Sequence, residues 1–116
     1  MNNQDLIQVR FTSNFKKNLT ILAKKYRQIR YDIEPTINEI RKGNFLGDQI
    51  PRTNYTVLKV RIKNSNIKKG KSSGYRLIYQ VKTPTNIILV TIYSKLDQAD
   101  IKVKEINKII QEFENN

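Results

Sequence analysis

The sequence predicts an α+β fold. It is read as a single sheet of about four strands, mostly antiparallel, with helices packed on one face in the order β-α-α-β-β-β-α. Three observations lead there. Apolar residues recur at helical spacing early and late in the chain; between Val57 and Val81 the period changes to two. Turn-forming residues separate the segments that alternate. A length of 116 residues suits one domain, 1–116, with a modest core.

Ile7, Val9 and Phe11 alternate as a first strand. Ser13 or Asn14 can cap a helix whose apolar stripe runs through Phe15, Leu19, Leu22, Tyr26 and Ile29. A second helix is expected from about Asp32. Pro35 falls in its first turn, Ile33, Ile37 and Ile40 line it, and Gly43 ends it. Asn44 to Asn54 reads as a loop. Val57 to Lys63 then alternates strictly, with Leu58, Val60 and Ile62 on one face and Lys59, Arg61 and Lys63 on the other. Asn64 to Ser73 is a polar, basic hairpin loop. Gly74 to Val81 and Ile87 to Tyr93 complete a meander around a turn at Pro84 and Asn86. The last of these strands is apolar on both faces, as an interior strand would be. Asp97 can cap a final helix, with Ala99, Val103, Ile106, Ile110 and Phe113 as its buried stripe.

The chain has no cysteine and no histidine, which excludes disulfides, thiol and imidazole chemistry, and metal sites built from those ligands. A reducing, cytoplasmic setting is expected. No apolar run reaches the roughly 18 residues of a membrane span, and Met1 to Gln4 lead straight into a mixed segment without the pattern of a signal peptide. No membrane partner and no cofactor are expected. The net charge is +12, and it is unevenly placed. Residues 1–48 carry +4, residues 49–96 carry +10 without one Asp or Glu, and residues 97–116 carry −2. A block of one sign attracts a polyanion, either nucleic acid or an acidic protein segment.

The stretch GKSSGYRLIYQV, Gly70 to Val81, sharpens that reading. Tyr75, Leu77, Tyr79 and Val81 make the better core set. Arg76 is therefore expected on the face left open to water, beside Lys59, Arg61 and Lys63, with no acid in its block to neutralise it. A solvated strand face is the plain alternative. Like charges on neighbouring strands destabilise a sheet, however, so their clustering points to an anion site. Lys68, Lys69 and Lys71 in the adjoining loop are candidates for further phosphate contacts.

The element order resembles the RelE/ParE family of bacterial toxins from type II toxin–antitoxin systems. So do LKVRIKNS (Leu58 to Ser65), SSGYRLIYQV (Ser72 to Val81) and IILVTIYSKLDQADI (Ile87 to Ile101). The resemblance covers nearly the whole chain and is most specific from Lys59 to Asp100. It implies a toxin silenced by a cognate acidic antitoxin. Its RelE-like branch implies a metal-independent endoribonuclease that cleaves mRNA, in many members on the ribosome, by attack of a ribose 2′-OH on the adjacent phosphate. In that reading Lys59 and Arg61 match the basic pair of the strand after the helices. Arg76 matches the arginine of the GYR motif, and Lys95 a basic residue closing the last strand. Arg61 and Arg76 would oppose the charge of the phosphorane. Lys59, with Lys63 in reserve, would take the 2′-OH proton, and Lys95 or Lys102 would protonate the leaving oxygen. Lys63, Lys68, Lys69 and Lys71 would bind RNA. Leu96 and Lys102 stand where ribonuclease members carry an arginine and a tyrosine. The ParE-like branch implies inhibition of DNA gyrase without cleavage, and a non-catalytic nucleic-acid-binding module is the third reading.

Overall fold

The computed structural model describes residues 6–68, 70 and 73–116. It is an α+β domain with three helices and one mixed five-stranded sheet. The elements are β1 (Gln8–Phe11), α1 (Ser13–Lys25), α2 (Ile29–Arg41), β2 (Asp48–Gln49), β3 (Val57–Ile62), β4 (Tyr75–Thr83), β5 (Asn86–Ser94) and α3 (Val103–Glu114). In the sheet the strands lie in the order β1-β5-β4-β3-β2. β1 pairs parallel to β5, and the other pairs are antiparallel.

The meander forms as its alternation dictates. Val60 and Ile62 of β3 join Tyr75, Leu77 and Tyr79 of β4 in one core cluster, packed by Phe15 and Leu22 of α1 and by Ile29, Ile33 and Ile40 of α2. Leu58 and Val81 lean on it from the edge. The sheet is not open on its other side, which corrects the expectation of helices on one face. A second cluster joins Val57, Ile78, Val90 and Tyr93 to Ile106, Ile109 and Ile110 of α3. Ile78 has opposite parity to Leu77 and Tyr79 on β4, so α3 covers the face opposite α1 and α2. The apolar character of both faces of β5 is explained by this sandwich.

Other boundaries differ from the sequence expectation for local reasons. The α1 cap is Thr12: its hydroxyl accepts from the Phe15 amide at 3.0 Å and donates to the Val90 carbonyl at 2.6 Å. The apolar stripe from Phe15 to Ile29 spans a break, because Tyr26 leaves the helix in extended conformation with its amide on the Leu22 carbonyl. α2 starts at Ile29, so Pro35 lies inside it rather than in its first turn. Gly43 does end it, at φ +92°. The expected loop from Asn44 to Asn54 holds the short β2, which adds a fifth strand through the pairs Asp48 with Lys59 and Gln49 with Leu58. Gly47, at φ +105°, permits this approach, since a Cβ there would strike the Lys59 carbonyl. Asp97 caps no helix. α3 begins at Val103, and Ala99 is exposed ahead of it while Ile109 takes a buried place.

Candidate phosphate-binding site

Register brings the basic residues together. Across β3 and β4, Lys59 faces Ile78 and Arg61 faces Arg76; across β4 and β5, Arg76 faces Tyr93. These side chains share the α3 side of the sheet. Arg76 is only 5% exposed, which corrects the expectation of a solvated post on an open face. Its Nη1 donates to the Tyr75 carbonyl at 3.2 Å. Desolvation, and next the charge of Arg61, pull its pKa below the ordinary arginine value; Tyr93 and Asp100 act in the opposite sense. Arg61 itself is exposed. The pair thus joins one buried and one accessible guanidinium of like charge.

The patch also holds an acid, contrary to expectation. Asp100 comes from the segment between β5 and α3, outside the acid-free block. Its Oδ1 lies 3.5 Å from Lys59 Nζ, accepts from the Tyr93 hydroxyl at 3.3 Å, and accepts from the Ile101 amide at 2.8 Å. The Ile101 amide, then Lys59, hold the carboxyl below its ordinary pKa against the opposing effect of burial. Tyr93 is 5% exposed, and burial first, then Asp100, push its phenol up to about 12. It therefore keeps its proton at neutral pH.

The other candidates make different contacts, Lys95 close by on the segment that carries Asp100 and Lys102, Lys63 and Lys68 on grooves of their own. Lys95 donates from Nζ to the Ala99 carbonyl, and its amide donates to the Gly74 carbonyl at 2.9 Å. Lys102 precedes α3 and lines a cavity of about 420 Å³ with Asn14, Lys104, Glu105 and Lys108. Lys63 and Lys68 line a shallow groove of about 460 Å³ with Ser65, Ile67 and Gly70, beyond the end of β3. Lys69 and Lys71 lie outside the described residues. Sequence reading missed Tyr93 and Asp100. The signal for Tyr93 was its register opposite Arg76, which needs the strand pairing. Asp100 offered none, because the path from β5 to α3 sets its position.

A site of this composition can grip an anion at several points. Guanidinium groups offer planar pairs of donors, an ammonium adds a point charge, and a phenol adds a directed O–H. No protein-family model, curated protein sequence or solved structure matches this chain.

Proposed function

We propose that the protein is the toxin of a type II toxin–antitoxin pair and a metal-independent endoribonuclease that cleaves mRNA, in the cytoplasm and on the ribosome. The observation that carries this reading is the direct pairing of Arg61 with Arg76 in the register of β3 and β4. Two like charges in that position repel each other, an effect that Tyr93 and Asp100 offset in part at Arg76. A doubly negative, five-coordinate phosphorus compensates both, which is what the transition state of phosphodiester cleavage presents.

The chemistry is the attack of a ribose 2′-oxygen on the adjacent phosphorus with departure of the 5′-oxygen. A 2′,3′-cyclic phosphate and a 5′-hydroxyl result, and the proton lost by the 2′-OH is balanced by the one the 5′-oxygen gains. Arg61 and Arg76 oppose the developing charge. Lys59 is ion-paired with Asp100, which favours a role in holding a phosphate oxygen over that of a base. Tyr93 brings a neutral O–H to the same place. Lys63 and Lys68 extend the cationic track along the RNA. An acidic antitoxin segment covering this face silences the site by competing for the same cations.

The test is incubation of the protein with mRNA, with and without translating ribosomes, followed by mapping of the RNA ends. Cleavage leaving 2′,3′-cyclic phosphates supports the proposal. Binding without cleavage under both conditions overturns it. The gyrase reading then takes its place if the protein blocks DNA supercoiling. One observation favours that second reading: Leu96, at 50% exposure, puts an apolar side chain on the surface just after Lys95.

A further inference from the structure

Asp100 is the carboxylate within ion-pair distance of Lys59 among the described residues, while Asp48 stands opposite Lys59 in the register of β2 and β3. Both donors that other strands supply to Asp100 meet on the same atom. Lys59 Nζ from β3 stands 3.5 Å from Oδ1, and the Tyr93 hydroxyl from β5 donates to it at 3.3 Å. The oxygen thus sits where a small anion would be held, with Arg76 facing Tyr93 across the sheet. The side chain of Asp100 is nonetheless 67% exposed, against 32% for Lys59. The exposed carboxylate can turn outward at the cost of the bond that Oδ1 accepts from the Ile101 amide at 2.8 Å, while the backbones of Lys59 and Tyr93 are set by strand register.

The neighbouring acid behaves differently. Asp97 reaches Lys25 on α1 at 3.0 Å, and the short segment between β5 and α3 is pinned at both points. Asp97 forms no ion pair or hydrogen bond with Lys59, Arg61 or Tyr93 among the described residues. The two acids lie three positions apart and carry the same charge, but only one enters the group.

We infer that Lys59 and Tyr93 form the seat of one non-bridging phosphate oxygen of RNA, and that the Asp100 carboxylate is a tethered anion that fills this seat until RNA displaces it. The inference rests on reading this face as an RNA phosphate site. It makes Asp100 a brake on binding rather than a catalytic residue. An unoccupied cationic seat would attract any phosphate. A tethered carboxylate raises the threshold so that only a polyanion held at several points displaces it.

The experiment measures binding of a fluorescent RNA oligomer, 2′-O-methylated throughout so that the 2′-oxygen cannot attack. The full chain is compared with Asp100→Asn, Asp97→Asn and the double variant Asp100→Asn with Tyr93→Phe. Removing a surface charge competitor of this kind is expected to tighten binding about five-fold for Asp100→Asn at ~0.1 M salt, and less than about two-fold for Asp97→Asn. Adding Tyr93→Phe is expected to remove most of the gain, because the seat loses its hydroxyl. Equal gains from the two Asp variants reduce the effect to net charge and overturn the inference. So does no gain, or weaker binding, with Asp100→Asn. Asparagine keeps the volume of this exposed side chain, and circular dichroism checks that each variant is folded.

Cleavage is read separately on unmodified mRNA with ribosomes. A binding gain without cleavage overturns the ribonuclease proposal and leaves the seat standing. Cleavage without the gain does the reverse, and the lack of both the gain and cleavage overturns both.

Discussion

Arg61 and Arg76 stand directly opposite each other on adjacent antiparallel strands, one exposed and the other almost wholly buried. Cross-strand neighbours of like charge weaken a sheet, and Arg61 further discourages the charged form of the buried partner. Replacing Arg61 with alanine should therefore leave the fold as stable as before or more so, by about 0.2–1 kcal/mol. The melting temperature checks this. A clear drop would mean that Arg61 makes a stabilising contact within the protein.

Arg76→Lys keeps the charge and removes the planar fork. If two N–H groups of Arg76 grip the phosphate, cleavage should fall by about ten- to a hundred-fold while the protein stays folded. Single-turnover cleavage of ribosome-bound mRNA measures it. An unchanged rate would reduce Arg76 to a point charge.

Gly74 precedes β4, and a Cβ there would fall on the Ile62 carbonyl at the end of β3. Gly74→Ala must push the two strands apart where Ile62 pairs with Tyr75, one step from the arginine pair. The expected outcome is a destabilised protein and a loss of cleavage larger than the loss of stability explains. Urea denaturation alongside the cleavage assay separates the two effects.

Alkaline pH should weaken the fold through its buried phenols. Burial pushes Tyr79 and Tyr93 up to about 12 from an ordinary value of 10.0. The folded value lies above the unfolded one, so the fold favours the neutral phenol. Stability is full below about pH 10 and falls as pH rises from there through about 12. The urea midpoint followed between about pH 8 and 11.5 reports it. Tyr79→Phe should flatten the decline, with loss of the bond from its hydroxyl to the Leu46 carbonyl as a separate, pH-independent cost.

Much of this architecture is legible before any coordinates. The strict alternation from Val57 to Ile62 assigns Val60 and Ile62 to the core, and Lys59 and Arg61 to the other side. The choice of Tyr75, Leu77 and Tyr79 as core over Arg76 and Ile78 rests on the same period, and it holds for the α1–α2 side. What it hides is that Ile78 also belongs to a core. Periodicity says which residues share a face and not what covers that face. α3 could go to either side of a strand apolar on both, and Ile78, Val90 and Tyr93 receive it. The break at Tyr26 is hidden for a related reason: Ile29 stays in phase with the preceding stripe although it opens a new helix. The basic group was visible as residue types. Its carboxylate was not: Asp97 has the look of a helix cap and instead reaches Lys25, and Asp100 meets Lys59 only through the path of the chain from β5 to α3.

The most direct test is single-turnover cleavage of ribosome-bound mRNA by the native chain and by Arg61→Ala. The pair is held to act on the charge of the transition state, so the variant should cleave about a hundred-fold or more slowly and melt no lower than the native protein. Equal rates for the two proteins, or no cleavage by the native chain, would contradict the account.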